Sequence, residues 1–143
     1  MPSESVRDAR DRYLAARGLG VASYTKEDFV VPVAGIRLRF PNPGLLPLHD
    51  LHHVATGYGT SVIGEAEISA FELRTGCKSR IVFILCVGAI AIALFVSPRR
   101  VWRAWKRAKG ARSLYYAEES YDTLLSMDVV ELRRRMNLPE ELA

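Results

Sequence analysis

The chain has 143 residues, of which 49% are hydrophobic and 25% charged, and it carries a net charge of +4 at neutral pH. This length predicts a single domain over residues 1–143 that is large enough to form a hydrophobic core. The composition excludes a disordered chain and a chain embedded throughout in a membrane. The hydrophobic periodicity indicates a mainly α fold, a compact helical domain with one long apolar helix.

The N-terminal third predicts one helix followed by a short extended region. Residues 4–17 show the pattern of an amphipathic helix. Residues 29–40 run apolar and then alternate between apolar and basic side chains, which predicts either a minor β-hairpin or an extended strap. Pro32 places the first half of this region at a sheet edge, because proline cannot donate to a central ladder.

Side chains that can bind a metal ion cluster in the sequence His49-Asp50-Leu51-His52-His53. His49 and His53 are four residues apart, so on a helix their imidazoles project from the same face. Asp50 lies about 100° around that helix from His49, and its short carboxylate can lean towards the same centre. His52 points about 100° away from His53, which favours a helix-surface position or a supporting role behind the ligands.

A second helix is expected to bring Glu65 to the same centre. Residues 57–60, Gly-Tyr-Gly-Thr, form a helix-ending turn signal that would fold the following segment back. Residues 48–75 are therefore predicted to form a helical hairpin with His49, Asp50, His53 and Glu65 as metal ligands. Such a set of nitrogen and oxygen donors suits iron, manganese or zinc better than calcium.

A further acidic residue, Glu72, shares one side of the second helix with Glu65. This spacing leaves two alternatives open, a carboxylate that supports the site or faces substrate, and a solvated helix face. No general acid or base can be identified from the sequence. Cys77 and Cys86 are expected to be free thiols, because the charged N-terminus does not resemble a signal peptide.

The central apolar run, residues 81–97, contains seventeen residues without a charge. As a helix it would be about 25 Å long, slightly less than a typical hydrocarbon thickness of about 30 Å. It is expected to form the long apolar helix, either lying in the membrane plane or lining an apolar tunnel. A single membrane span remains a third alternative.

Residues 98–112 combine basic and aromatic side chains and are predicted to lie at a membrane interface. Tryptophan beside arginine at the edge of an apolar segment is typical of the headgroup region. The residues assigned to this interface are Trp102, Trp105, Arg99, Arg100 and Arg103. Because the basic block directly follows the apolar run, it favours anionic lipid over nucleic acid. The alternative is that the two tryptophans pack in a soluble core.

The C-terminal part, residues 113–138, is predicted to form short helices. Ser126 has the character of an N-cap for the last of them, which is expected to end before Pro139.

The HDLHH sequence, followed by Gly64-Glu65 and the helical residues 66–73, resembles the coenzyme Q biosynthesis family usually called Coq four. The family signature is His-Asp, two residues, His, eleven residues, Glu. It is matched by His49, Asp50, His53 and Glu65. The resemblance covers residues 41–76 well and 111–138 loosely, including a closing helix near 129–138.

The resemblance implies a helical protein of ubiquinone biosynthesis that binds a divalent metal ion and works at a membrane surface. Its substrate would be a polyprenylated aromatic acid, from which the ring carboxylate is removed or oxidised. It also implies isoprenoid lipid as a ligand and other quinone biosynthesis enzymes as partners. The expected location is the cytoplasmic face of a membrane, peripheral or embedded through residues 81–97, and a homo-oligomer is compatible with this location.

Two other functions remain open. One is a non-catalytic lipid-binding scaffold whose structural metal ion pins the helical hairpin together. The other is a metal-dependent hydrolase, because HDxxH is similar to the HExxH helix of zinc proteases with Asp50 in the place of the general base.

Overall fold

Helices make up most of the fold, which confirms the mainly α prediction. The computed structural model describes residues 3–33 and 35–140. In chain order the elements are α1 (Val6–Ala16), a 3₁₀ turn (Val21–Thr25), β1 (Asp28–Val33), β2 (Ile36–Pro41), α2 (Leu46–Thr56), α3 (Val62–Thr75), α4 (Arg80–Val96), α5 (Pro98–Arg107), a second 3₁₀ turn (Leu114–Tyr116), α6 (Tyr121–Ser126) and α7 (Val129–Arg135).

The extended region forms the predicted β-hairpin. Strands β1 and β2 pair antiparallel, and Phe29 lies opposite Phe40 with ring centroids 5.8 Å apart. An isolated two-stranded sheet is marginally stable, so its contacts with neighbouring segments matter. The side-chain amide of Asn42 joins the end of β2 to the segment that precedes β1 by donating to the carbonyl oxygens of Tyr24 and Lys26.

The turn between α2 and α3 forms as the glycines predict. Gly57 ends α2 in a left-handed conformation with φ of 72°, and its N–H donates to the carbonyl of His53. Ser61 then caps α3 by accepting the N–H of Gly64. The chain therefore reverses within a few residues, and the first turn of α3 folds back beside α2.

The core has a small cluster of Val82, Cys86 and Tyr115 and two larger packing regions that share α3. One of the larger regions is formed by large side chains from α1, α2, α3, α6 and α7, among them Val6, Leu51, Phe71, Leu124 and Leu132. The other lies between α3, α4 and α5 and contains mostly small side chains, namely Ala66, Ala70, Ala93, Val101 and Ala104. Helix α3 contributes to both regions, so the helix that carries Glu65 and Glu72 is held on two sides.

The apolar run does not form the long apolar helix that the sequence predicts. Helix α4 has 17 residues, and Pro98 opens α5 after a break at Ser97. Within residues 3–33 and 35–140, no helix combines the length and the apolar character needed to cross a bilayer. The prediction of one long apolar helix is therefore wrong.

The C-terminal helices form within the predicted region, but the cap lies two residues later than expected. Ser126 ends α6, and the Asp128 carboxylate caps α7 by accepting the N–H of Glu131. Asp128 also pairs with Ser5 through an isolated β-bridge. This long-range pairing keeps residue 128 extended, so the last helix begins after it.

Candidate metal centre

Three of the predicted ligands lie together at the junction of α2 and α3. The Nε2 atoms of His49 and His53 are 3.3 Å apart. The Oε2 atom of Glu65 lies 3.5 Å from each of these nitrogens. His49, His53 and Glu65 form a group of side chains that could hold a metal ion.

Hydrogen bonds on the far sides of the two imidazoles orient their rings. The Nδ1 atom of His53 lies 2.9 Å from the carbonyl oxygen of Tyr58, which can only accept, so Nδ1 carries the proton. The Nδ1 atom of His49 donates in the same way to Glu72 Oε1 at 2.8 Å. Both Nε2 atoms therefore face the space beside Glu65.

The spacing of the three donor atoms fits a first-row metal ion. Zinc binds histidine nitrogen and carboxylate oxygen at about 2.0–2.2 Å. Donor separations of 3.3 and 3.5 Å would allow all three atoms to bind one ion at such bond lengths. Three protein ligands would leave a position of that ion for a further ligand.

Glu72 is only 1% exposed and binds the side of the His49 ring that faces away from Glu65. Its Oε1 atom accepts hydrogen bonds from His49 Nδ1 and His52 Nδ1 at 2.8 Å and from the Tyr115 hydroxyl at 2.7 Å. The Cys86 thiol lies 3.6 Å from Oε2. Such a carboxylate fixes the orientation of a ligand histidine and raises its basicity. The alternative of a solvated helix face for Glu72 is therefore wrong.

His52 is fully buried, so the helix-surface alternative for this residue is also wrong. Its Nε2 accepts the backbone N–H of Leu114 at 2.9 Å. Its proton is therefore on Nδ1, where it is donated to Glu72. Burial lowers the pKa of His52, which agrees with a neutral imidazole that joins α2 to α3 through Nδ1 and to the second 3₁₀ turn through Nε2.

The structure places Asp50 outside the group formed by the other three predicted ligands. The Asp50 carboxylate accepts a hydrogen bond of 2.7 Å from the Tyr24 hydroxyl and lies 3.6 Å from the Arg17 guanidinium. Its partners thus come from the residue that follows α1 and from the first 3₁₀ turn. The physical reason is a step of one residue along α2, which turns Asp50 towards these segments and away from Glu65.

The charges of the centre favour an ionised Glu65. Burial alone would raise the pKa of this carboxyl group, but His49 and His53 outweigh burial and hold it well below its usual range. Burial likewise disfavours protonation of His49, yet Glu72 and Glu65 raise its pKa well above the usual value. In the absence of a metal ion, the positive charge of a protonated His49 therefore balances the negative charge of Glu65.

Three tyrosines of the site could not be identified from the sequence. Tyr13 of α1 stacks on the His53 ring with centroids 5.2 Å apart. Tyr24 and Tyr115 donate to Asp50 and Glu72 from segments distant in the chain. Tyrosines carry no motif of their own, and only the tertiary fold brings them to these carboxylates.

The predicted membrane-interface residues do not form one uniform surface. Trp102 is 59% exposed. Trp105 packs against the core region between α3, α4 and α5, and the Arg74 guanidinium carbon lies 5.0 Å from the centroid of its ring. Arg100 forms two hydrogen bonds with Glu67, at 2.9 and 2.7 Å. Trp105 is thus partly buried, whereas Trp102, Arg99 and Arg103 are exposed.

Comparison with known proteins identifies a similar fold. No protein-family model and no curated protein sequence matches the chain. The structure is similar to the crystal structure of a "Putative ubiquinone biosynthesis protein" from Nostoc punctiforme, with a TM-score of 0.59 and 20% sequence identity. The match covers 95% of this chain and 63% of the Nostoc chain.

The two chains share a fold. At this level of identity the similarity concerns the architecture and assigns no activity. This chain spans less than two thirds of the Nostoc chain, so the longer protein has additional residues that have no counterpart here.

Proposed function

We propose that this chain binds a divalent metal ion through His49, His53 and Glu65 and acts in ubiquinone biosynthesis. Its substrate would be a polyprenylated aromatic acid whose ring is decarboxylated or oxidised at a membrane surface. The clustering of two Nε2 atoms and one carboxylate oxygen carries this proposal. The Coq four signature and the fold shared with the Nostoc protein support the pathway.

The number of protein ligands favours a catalytic ion over a structural one. Structural zinc sites are usually closed by four protein ligands, whereas catalytic sites keep one position open. Here three donors converge, and Glu65 is 33% exposed, so a substrate oxygen can reach the open side. Two histidines and one carboxylate are also the ligands of non-haem iron(II) oxygenases, and such an ion supplies oxidative chemistry.

The surroundings of Asp50 weaken the hydrolase alternative. A general base must have a free carboxylate oxygen directed at the metal-bound water. Both oxygens of Asp50 instead have partners on the other side, the Tyr24 hydroxyl and the Arg17 guanidinium. In the proposed function Asp50 is a positioning residue, because it fastens α2 to the residue that follows α1 and to the first 3₁₀ turn.

The outer face of α4 supports peripheral attachment to a membrane. Phe83, Ile84, Leu94 and Phe95 are exposed apolar side chains, and Phe95 is 93% exposed. A contiguous exposed apolar helix face is typical of a lipid or protein interaction site. We propose that this face and Trp102 dock onto the cytoplasmic surface of a membrane, where the isoprenoid substrate and partner enzymes of the pathway would be available.

The experiment that tests the proposal is metal analysis of the purified protein, with Glu65→Ala, Asp50→Asn and Glu118→Gln as variants. Glu118 is exposed and lies outside the metal group, so its substitution controls for the loss of a carboxylate. We expect one equivalent of iron, manganese or zinc in the parent protein, in Asp50→Asn and in Glu118→Gln. Glu65→Ala should lose the ion.

Two results would contradict the proposal. Equal metal content in Glu65→Ala and the parent would show that the group does not bind the ion. Loss of the ion from Asp50→Asn with a folded protein would show that Asp50 is a ligand after all. If the ion is present, its removal unfolds the chain, and the metal-loaded protein alone does not turn over a polyprenylated aromatic acid, the scaffold function is favoured instead.

A further inference from the structure

A polar cavity lies between helix α5 and the turn that ends α2. Its volume is about 420 Å³, within the range of about 300–1,000 Å³ that is usual for small-molecule sites. The residues that line it are Thr56, Gly57, Tyr58, Gly59, Glu67, Arg100, Arg103, Ala104 and Arg107. None of them belongs to the metal group, so this cleft, which we call the arginine cleft, is a separate site.

The arginines reach the cleft because of their spacing on α5. Arg100, Arg103 and Arg107 are separated by three and four residues, so they project from one face of the helix. Like charges at this spacing repel one another and destabilise an isolated helix. The negative end of the helix dipole compensates basic residues in the last turn, which includes Arg107 but not Arg103.

One of the three positive charges is neutralised within the protein. Arg100 forms a two-pronged ion pair with Glu67, which is the acidic residue that lines the cleft. In the part of the chain that the structure describes, no carboxylate lies within ion-pairing distance of Arg103 or Arg107. Of the three guanidinium groups that line the cleft, two therefore keep an uncompensated positive charge.

We propose that the arginine cleft binds a phosphate group. Guanidinium presents its N–H donors in a planar fork that matches phosphate oxygens, and two such groups balance the charge of a phosphate dianion. Tyr58 also lines the cleft. The phosphate can belong to a small soluble molecule or to the headgroup of a lipid, since both present the same oxygens.

The test uses the intrinsic fluorescence of the intact protein during titration with inorganic phosphate. Both tryptophans of the chain, Trp102 and Trp105, lie on α5, so their emission reports on the helix that carries the cleft. Arg103→Gln/Arg107→Gln removes the two uncompensated charges. The matched control, Lys106→Gln/Lys109→Gln, removes two positive charges from the same end of α5 at exposed positions that do not line the cleft.

We expect saturable phosphate binding by the parent protein and by the lysine control, and at least tenfold weaker binding by the arginine variant. Metal content should be equal in all three proteins, because the cleft shares no residue with the metal group. Equal weakening in both variants would overturn the proposal, since phosphate would then respond only to net charge.

The source of the phosphate is distinguished with vesicles of phosphatidylcholine that either contain or lack phosphatidic acid, a lipid with a phosphate monoester headgroup. Binding that requires phosphatidic acid and is lost in the arginine variant identifies a lipid headgroup. Binding of free phosphate with no effect of phosphatidic acid identifies a soluble phosphate ester. Binding of neither probe would overturn the proposal.

Discussion

The Nδ1 atom of His49 and the Oε1 atom of Glu72 are 2.8 Å apart, although the two residues are 23 positions apart in the chain. This bond connects α2 to α3 and turns the Nε2 atom of His49 towards Glu65. The same oxygen accepts from His52 and Tyr115. The buried Glu72 carboxylate thus orients one proposed ligand and also joins α3 to α2 and to the second 3₁₀ turn.

Glu72→Gln should weaken metal binding while leaving the three proposed ligands in the chain. The amide is neutral, so it cannot stabilise the imidazole as the carboxylate does, and outer partners of metal ligands typically contribute 10–100-fold in affinity. We therefore expect a loss of about 10–100-fold, measured by competition with a chelator of known affinity. An unchanged dissociation constant in a folded variant would show that His49 does not depend on Glu72.

Gly64 is required by a close contact rather than by its conformational freedom. A Cβ atom at this position would overlap the carbonyl group of Gly59, and the same turn contains Tyr58, whose carbonyl orients His53. Gly64→Ala should therefore displace the turn and lower both the melting temperature and the metal affinity. Calorimetric unfolding and chelator competition measure the two effects.

Gly88→Ala is the matched control for this substitution. Gly88 lies within α4, and a Cβ atom there meets no other atom within 4 Å. Alanine should stabilise that helix, because glycine costs up to about 1 kcal/mol in a helix interior. If Gly64→Ala were as stable as Gly88→Ala, the close approach of Gly59 would not constrain the site.

The sequence predicts His49, His53 and Glu65 correctly as one group, because short-range geometry determines their positions. His49 and His53 lie one helical turn apart, and the glycines after α2 reverse the chain within a few residues. These short-range features are enough to place Glu65 beside the two histidines. Asp50 differs because its orientation depends on Tyr24 and Arg17, and nothing near Asp50 in the chain indicates that they are its partners.

Tertiary packing also explains why the sequence pattern leaves the exposure of Glu72 open and predicts too long an apolar helix. Glu72 shares one side of α3 with Glu65 in the sequence pattern, but the second 3₁₀ turn, which carries Tyr115, covers Glu72. The apolar run indicates a helix correctly, while Ser97 and Pro98 limit its length. Periodicity alone cannot show which of its apolar faces remains exposed.

Metal binding should release a proton at neutral pH. Burial lowers the pKa of His49, but Glu72 and Glu65 outweigh burial and raise it well above the usual value. A metal ion must therefore displace the proton of this imidazole before it can bind Nε2. We expect the affinity to fall about tenfold for each pH unit below the pKa of His49, as one linked proton requires.

Titration calorimetry in two buffers with different ionisation enthalpies measures this proton release directly. The difference between the two observed enthalpies gives the number of protons released, and we expect about one. The opposite outcome, equal enthalpies in both buffers together with an affinity that is constant as the pH falls, would show that His49 is neutral before the metal ion binds.

The exposed face of α4 should determine vesicle binding. Phe95→Ser removes the most exposed large apolar side chain of that helix, and Ile36→Ser removes one that is 64% exposed but lies on the hairpin. Burial of an apolar side chain contributes about 1.5–3 kcal/mol, so insertion of Phe95 into lipid corresponds to a change of roughly tenfold or more in partitioning. Co-sedimentation with anionic vesicles should therefore weaken for Phe95→Ser and stay unchanged for Ile36→Ser. If both variants partition like the parent protein, the α4 face does not contact lipid, whereas an equal loss in both would indicate nonspecific adsorption of apolar surface.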